Sequence, residues 1–245
     1  VILEFEDTIK EAIYQTLTIY NISDFEGNVN EKIKYTFLYY KAKAYDIVIN
    51  EIMADPSPPV ELPEWEYIEL YNTSDYPINL HNWKFIAGNS EYRFDESIEI
   101  GPKDYLILCH EDAVKLFLVF NSCKGFISFK ISNFGLDMAL FDDNDYLISS
   151  VNFDVSWHSE SYKKEGGWSL EQIDEYNPCA GRPNWSSSVS GAGGTPGRCN
   201  SIKNINILPP ELDYIFPLSN NTIAVHYNQN MNVETLKTAD NYFIK

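Results

Sequence analysis

The stretch Asp46-Ile-Val-Ile-Asn-Glu-Ile-Met53 begins a long series of short β-strand patterns. Isoleucine and valine dominate the stretch, which is typical of a strand packed on a core. Strand patterns with turn signals between them recur as far as Trp168–Ile173, at the spacing of a β-sandwich. Within this series, Glu91–Phe94 and Ser97–Ile100 predict a hairpin. The sequence therefore predicts one all-β domain over residues 46–202.

A second informative segment lies near the end of this domain. Gly166-Gly-Trp-Ser-Leu-Glu171 supplies the last predicted strand, and Asn184-Trp185 and Gly193-Gly-Thr-Pro-Gly197 follow it. In the last of these, glycine allows a positive φ and proline sets a bend, which predicts a shaped loop. The loop lacks the Gly-Lys-Ser/Thr sequence of a phosphate-binding loop, and no helix pattern follows it. We therefore do not expect nucleotide binding.

The 245-residue chain has a formal net charge of −18, and residues 46–202 carry most of the acidic excess. An acidic surface repels phosphate groups, because nucleic acids and anionic membranes are bound through Lys and Arg. The sequence contains no stretch of about 20 apolar residues, so a transmembrane helix is not expected. The composition predicts no nucleic-acid partner and no direct membrane insertion.

Residues 1–45 and 203–245 flank the central domain with strand patterns that are too few to bury both faces of a sheet. The predicted strands are 14–20 and 33–40 in the first segment and 211–216 and 222–227 in the second. Because the chain begins and stops on strand patterns, we expect it to be part of a longer protein. The two segments would together form a second small sandwich, within one chain or as a dimer of two chains. The alternative is that they fray or pack on the central domain.

Glu51, Glu66, Glu69 and Glu171 lie in or beside strand patterns and are the candidates for acid–base chemistry or metal binding. Alternation along the second strand of the domain places Glu66 and Glu69 on opposite faces. A glycosidase needs two carboxylates about 5–9 Å apart across a cleft, and this pattern brings no such pair together. We therefore expect these carboxylates to accept hydrogen bonds from backbone groups or tyrosine hydroxyls at a sheet edge. No catalytic residue and no cofactor is predicted.

The run Asp142, Asp143, Asn144 and Asp145 offers oxygen ligands in a turn, which is the ligand chemistry that Ca²⁺ prefers. The run lacks the length, the glycine and the terminal glutamate of an EF-hand loop. A hairpin turn is expected at the same place, and Asn and Asp favour such turns. The turn is the favoured interpretation, and calcium binding is the alternative.

Trp65, Trp157 and Trp185 lie beside loops and are the candidates for exposed aromatic rings. Exposed aromatic side chains are common where proteins bind glycans or other proteins, so these three predict a binding patch. Trp83 and Trp168 lie inside strand patterns and are expected in the core.

The four cysteines fall into two pairs along the chain, Cys109 with Cys123 and Cys179 with Cys199. Neither pair has Cys-x-x-Cys spacing and the histidines are scattered, so a zinc site is not expected. If the protein is exported, a disulfide within each pair is expected, and the second would add about 3 kcal/mol of stability by closing a loop. Four buried thiols are the alternative.

Several motifs occur in a specific order: Ile49-Asn-Glu-Ile52, Glu66-Tyr-Ile-Glu-Leu-Tyr-Asn72, Asn79-Leu80 with Trp83, Tyr105-Leu-Ile-Leu108, Ser132-Asn-Phe-Gly-Leu136 and Gly167-Trp-Ser-Leu-Glu171. In this order they resemble the lamin-tail domain, an immunoglobulin-like β-sandwich, over residues 46–202. The Asn184-Trp185 and Gly193–Gly197 motifs, with Asn200-Ser201, resemble its bacterial branch. The flanking segments 1–45 and 203–245 resemble the closing and opening halves of bacterial surface-layer-type immunoglobulin-like domains.

This resemblance implies a domain without catalytic residues. Bacterial lamin-tail domains resemble parts of exported multidomain proteins, so the resemblance implies a location at the cell surface, in the periplasm or outside the cell. We expect a structural or adhesive module that tethers neighbouring domains of a larger bacterial protein. The alternative is a glycan- or protein-binding module that uses loop aromatics.

Overall fold

The structure, a computed structural model, describes residues 2–204, 210–227, 231 and 233–244. The chain divides into two compact units, Val1–Lys43 and Ala44–Lys245. The strands are β1 (Tyr14–Ser23), β2 (Val29–Leu38), β3 (Ile47–Met53), β4 (Tyr67–Asn72), β5 (Ile78–Asn79), β6 (Lys84–Ala87), β7 (Ser90–Arg93), β8 (Glu99–Ile100), β9 (Tyr105–His110), β10 (Cys123–Phe126), β11 (Gly135–Phe141), β12 (Leu147–Asp154), β13 (Leu170–Gln172), β14 (Trp185–Ser187), β15 (Leu212–Ser219) and β16 (Thr222–Tyr227). The all-β class predicted from the sequence is confirmed.

Helical structure is confined to single turns in the described ranges. The α-helical turns are α1 (Val114–Phe117) and α2 (Val233–Leu236). The 3₁₀ turns are Glu111–Ala113, Val155–Trp157, Ser161–Glu165, Pro178–Ala180, Arg182–Asn184 and Ala239–Asn241. Within the described part of the chain, none of these helices has the length and apolar character needed to span a membrane.

Two sheets of the second unit build the central domain. The larger sheet has six strands in the order β10-β9-β4-β3-β13-β14, and the smaller has four in the order β12-β11-β6-β7. Strands β10 and β9 pair in parallel, and the other pairs are antiparallel. The two sheets meet where β3 lies against β12, and the Ile49 amide donates to Ser149 Oγ at 3.4 Å.

Strand register gives the six-stranded sheet two different faces. One row across β9, β4, β3 and β13 consists of apolar side chains, namely Leu108, Ile68, Ile52 and Leu170, each no more than 1% exposed. The next row along the same strands consists of Ile107, Glu69, Glu51 and Glu171. Because side chains alternate along a strand, the two rows face opposite ways. We call the face with the carboxylates the outer face.

The outer face is covered rather than open to solvent. At one end, Met53, Tyr67, Ile107 and Cys109 pack with Phe117 of α1 into a buried apolar cluster. The carboxylate row is itself fully buried, and residues 193–202 pass over it. We call residues 193–202 the covering loop. It is the shaped loop that the glycines and proline predict.

The hairpin predicted between Glu91–Phe94 and Ser97–Ile100 does not form. Strand β7 pairs with β6, and β8 pairs with β5 instead. A two-residue turn joins β6 to β7, and Gly88 in that turn has φ +57°, the positive value that such hairpin turns favour. The hairpin of β11 and β12 forms as predicted around the Asp142–Asp145 turn.

The terminal segments form one hairpin each. Strands β1 and β2 make a two-stranded antiparallel sheet, and so do β15 and β16. Every residue of β15 is exposed, including Tyr214 and Phe216. Residues 205–209 and 228–230, in the predicted 203–245 segment, lie outside the described ranges. The second small sandwich and the boundaries 1–45, 46–202 and 203–245 stay predictions.

Candidate functional site

Three of the four candidate carboxylates form one row on the outer face. Glu51 lies opposite Glu69 on β4 and opposite Glu171 on β13. All three side chains are 0% exposed. The register of three strands brings them together, and the sequence prediction missed this because it considered alternation along one strand only. Their position in the middle of the sheet also corrects the predicted sheet edge.

Glu51 is the centre of the row and accepts several hydrogen bonds. Its Oε1 atom accepts from the Tyr67 hydroxyl at 2.7 Å, the Ser169 hydroxyl at 2.6 Å and the Thr195 amide at 2.8 Å. These donors come from β4, from the residue before β13 and from the covering loop. The prediction that a tyrosine hydroxyl and backbone groups bind the carboxylates is therefore confirmed.

The Thr195 hydroxyl lies between two carboxylates. Its Oγ1 atom is 2.9 Å from Glu171 Oε1 and 3.2 Å from Glu51 Oε2. A hydroxyl carries one hydrogen, so when it donates to Glu171 it accepts from a protonated Glu51. Burial, followed by repulsion from Glu171, raises the pKa of Glu51 to about 7, which favours this proton.

Glu69 and Glu171 also bind the covering loop. Glu69 Oε2 accepts the Gly197 amide at 2.5 Å, and Oε1 accepts Asn50 Nδ2 at 2.9 Å. Burial and the Glu51 charge raise the pKa of Glu69 well above its ordinary value, although both hydrogen bonds favour the ionised form. Glu171 Oε2 accepts the Ser201 hydroxyl at 2.8 Å and the Ile202 amide at 3.2 Å. The row therefore holds the covering loop at both ends.

Close approach of the loop requires glycine. A Cβ atom at Gly194 would lie 2.6 Å from both Glu51 Oε1 and the Tyr67 hydroxyl. Gly197 has φ +74°, a conformation that side chains disfavour. The sequence predicted that these glycines shape the loop. The structure shows why glycine is needed there: the backbone passes directly over buried carboxylates.

Glu66 is separate from the row and lines a cleft of about 300 Å³. The lining residues are Pro56, Glu64, Trp65, Glu66, His110, Phe129 and Lys130. Trp65 and Glu66 come just before β4 and His110 ends β9, and the two strands are antiparallel neighbours, so these residues meet at one end of the sheet. We call this feature the Trp65 cleft.

The Trp65 cleft combines aromatic and charged groups. The half-buried Trp65 ring stacks on His110, with ring centroids 5.2 Å apart and an interplanar angle of 21°. Glu66 Oε2 accepts the Ile131 amide at 2.9 Å, which fixes the segment that carries Phe129 and Lys130. Burial raises the pKa of Glu66, and the Ile131 hydrogen bond and the Lys130 charge oppose that shift.

The other tryptophans differ from their predicted placement. Trp185 is only 5% exposed, so its predicted exposure is wrong, because β14 carries it into the second unit's core. Trp157 is half-buried against Trp185, with ring centroids 6.2 Å apart. Trp83 is in the core as predicted, at 4% exposed, whereas Trp168 is half-buried under the Lys163 ammonium group, which lies 4.6 Å from its ring centroid. Ligand binding by Trp65, Trp157 and Trp185 stays a prediction.

The Asp142–Asp145 run forms the predicted turn. Asp142 Oδ1 accepts the amides of Asn144 at 2.9 Å and Tyr146 at 2.7 Å. Asp145 pairs with Lys84 at 2.5 Å, and Asn144 Nδ2 donates to Asp143 at 2.9 Å. These carboxylates thus have partners within the protein, and calcium binding stays a prediction.

All four cysteines are free thiols in this structure. The Sγ atoms of Cys109 and Cys123 lie 3.2 Å apart on the neighbouring strands β9 and β10. Cys179 and Cys199 are both exposed. The alternative of four buried thiols is wrong for this second pair, and oxidation of either pair stays a prediction.

Four residues that complete these two sites were not among the residues selected from the sequence. Thr195 and Ser169 bind Glu51, and His110 and Phe129 line the cleft, but each is far in sequence from its partners. The one available signal was the Gly-Gly-Thr-Pro-Gly motif, which contains Thr195. Among the described residues, no group of three or more His, Cys, Asp and Glu side chains is arranged to hold a metal ion.

The fold and these sites define a β-sandwich module whose buried carboxylates bind a loop of the same chain. Residues 41–154 match the family model of the Lamin Tail Domain. The resemblance predicted from the motif order, to the lamin tail domain with its immunoglobulin-like β-sandwich, is confirmed by this match over residues 41–154. Comparison with curated proteins gives no match. The bacterial branch and the surface-layer-type flanks stay predictions.

Proposed function

We propose that the chain is a non-catalytic structural or adhesive module that tethers neighbouring domains of a larger exported bacterial protein. A lamin tail domain is consistent with a structural or interaction role, and the family is in general non-catalytic. The neighbouring domains of the parent protein are its proposed partners, and its proposed location is the cell surface, the periplasm or the extracellular space.

One observation carries the non-catalytic part of this proposal. The strongest acid–base candidates, Glu51, Glu69 and Glu171, are 0% exposed and accept hydrogen bonds from the covering loop. A general acid or base must lie within hydrogen-bond reach of its substrate. These carboxylates face the chain's own hydroxyls and amides, so their geometry serves the fold.

The net charge of −18 supports the absence of nucleic acid from the proposed partners. It favours a well-solvated surface and disfavours binding to nucleic acids, which need clusters of Lys and Arg. Cys109 and Cys123, whose sulfur atoms lie 3.2 Å apart, would be suited to an oxidising compartment.

A turnover screen tests the absence of catalysis. The full chain is incubated with chromogenic ester, phosphate, glycoside and peptide substrates, with and without divalent cations. We expect the same rates for the wild-type chain and for Glu51→Gln. Turnover by the wild-type chain that Glu51→Gln abolishes, with an unchanged melting temperature, would overturn the proposal.

Export is tested on intact cells of the source organism. A membrane-impermeant biotin reagent should label the chain before the cells are lysed. A chain that is absent from the labelled surface, the periplasmic extract and the culture medium, and is found only in the lysate of the remaining cells, contradicts the proposed location.

A further inference from the structure

We infer that the Trp65 cleft is a binding site for a neutral saccharide, in which a sugar ring lies on Trp65 and its hydroxyl groups bind the charged walls. The inference deepens the proposed function and rests on it, because an adhesive module must release its ligand unchanged. Nothing in the carboxylate row is needed for it.

The apolar part of the cleft suits the carbon-bound hydrogens of a sugar ring. Trp65 is half-buried and is held in place by its stacking on His110 at 5.2 Å. A ring fixed by packing presents a large contact area at little cost in conformational entropy. Phe129 and Pro56 extend the apolar wall beside it.

The polar part supplies both hydrogen-bond acceptors and donors. Glu66 accepts the Ile131 amide through Oε2, and among the described residues Oε1 has no donor, so it is open to a ligand hydroxyl. The ammonium group of Lys130 is a donor on the same cleft. His110 accepts the Asp112 amide through Nδ1 at 3.2 Å, so Nε2 carries the hydrogen of the neutral ring.

The cleft has both carboxylate and ammonium side chains, and this mixture favours a neutral ligand over a cation or an anion. A site for a cation would be lined by carboxylates without an ammonium group, and a site for an anion would have the reverse lining. Here Glu64 and Glu66 share the cleft with Lys130, which fits a neutral molecule with many hydroxyl groups. The net charge of −18 further disfavours acidic sugars.

The size of the cleft limits the ligand. A volume of about 300 Å³ is at the lower end of the range for small-molecule sites, which extends to about 1,000 Å³. One sugar ring is therefore the expected occupant, with any further rings in solvent. Small open sites bind weakly, so we expect a Kd on the order of 1 mM.

Isothermal titration of the full chain tests the site, with glucose, N-acetylglucosamine and their tetramers as probes and heparin as the acidic control. We expect binding of at least one neutral probe and none of heparin. Trp65→Ala should weaken that binding by about tenfold or more, because the stacking surface is lost. Glu64→Gln, at an exposed position where misfolding is not a concern, should weaken it by about threefold. Trp157→Ala changes a tryptophan outside the cleft and should leave binding unchanged.

Absence of binding for every neutral probe at 20 mM, a concentration roughly twentyfold above the expected Kd, overturns the inference and leaves the proposed function standing. Binding that survives both Trp65→Ala and Glu64→Gln places the sugar elsewhere and also overturns it. If no sugar binds but a lysine-rich peptide does, and Trp65→Ala abolishes the binding of that peptide, the inference is overturned and the cleft is a site for a protein partner. Hydrolysis of a bound tetramer would overturn the non-catalytic function while leaving the binding site in place.

Discussion

At the scale of single residues, the carboxylate row shows how one sequence feature changes meaning in three dimensions. Glu51, Glu69 and Glu171 are on three strands, and only strand register makes them neighbours. Burying three carboxylates is unfavourable unless they are protonated or hydrogen-bonded, and this row uses both means. Glu51→Gln and Glu69→Gln should therefore change the stability of the fold in different ways.

Glu51→Gln should remove part of the pH dependence of stability. The folded-state pKa of about 7 lies above the ordinary 4.5, so between these values the folded protein holds a proton that the unfolded chain lacks. The stabilisation is fully present below pH 4.5 and decreases as pH rises through 7. From pH 4.5 to pH 8, the free energy of unfolding of Glu51→Gln should rise by roughly 3 kcal/mol relative to wild type.

Urea unfolding of both proteins across this pH range measures that difference. The comparison with wild type is necessary because His158 acts in the opposite direction. Burial lowers the pKa of His158 to about 4, so its contribution increases from pH 4 to pH 6.5 in both proteins. A constant difference between the two proteins would show that Glu51 holds no extra proton.

Glu69→Gln should be destabilising by about 1–3 kcal/mol. Both oxygen atoms of Glu69 accept hydrogen bonds, from Gly197 and from Asn50, so a glutamine amide must turn its NH₂ group toward one of these donors. At Glu51 the corresponding NH₂ group faces the Thr195 hydroxyl, which can accept. Thermal unfolding of the two variants gives the comparison; equal melting temperatures would contradict the assigned hydrogen bonds.

At the scale of elements, strands β9 and β10 are joined through α1 and lie side by side in parallel. A parallel pair needs a crossover connection, and here the short helical segment provides it. The same arrangement places Cys109 next to Cys123 beneath α1.

Oxidation of Cys109 and Cys123 should stabilise the domain by about 3 kcal/mol, because the bond closes the loop that contains α1. The measurement is the melting temperature with and without reductant, together with the mass after alkylation of the unreduced protein. Cys123→Ser should remove the part of the reductant effect that comes from this pair, and Cys179→Ser should leave that part in place. Alkylation of all four thiols in protein purified without reductant would contradict this prediction.

At the scale of the whole molecule, the terminal segments are two separate two-stranded hairpins. A two-stranded hairpin with exposed apolar side chains is marginally stable alone, and β15 exposes Tyr214, Ile215 and Phe216. We expect the chain to associate through these segments, as the complementary half-domain patterns predict. The negative net charge opposes that association, and salt weakens the repulsion.

Light scattering during size exclusion tests this expectation. The dimer fraction should rise with protein concentration and with salt, and the double substitution Ile215→Lys and Phe216→Lys should reduce it. A substitution of the exposed Leu118 to Lys, in the central domain, is the matched control. A strict monomer at high concentration and in high salt would exclude the dimer.

Local sequence patterns were enough to predict the all-β class, most strand positions and the resemblance to the lamin tail domain. Ile47–Met53, Tyr105–His110 and the Asp142–Asp145 turn were predictable because strand periodicity and turn chemistry depend on neighbouring residues. Tertiary structure alone decided the carboxylate row, the burial of Trp185 and the Trp65 cleft. Each depends on pairing between residues as far apart as Glu51 and Thr195, and no local pattern encodes strand order or register.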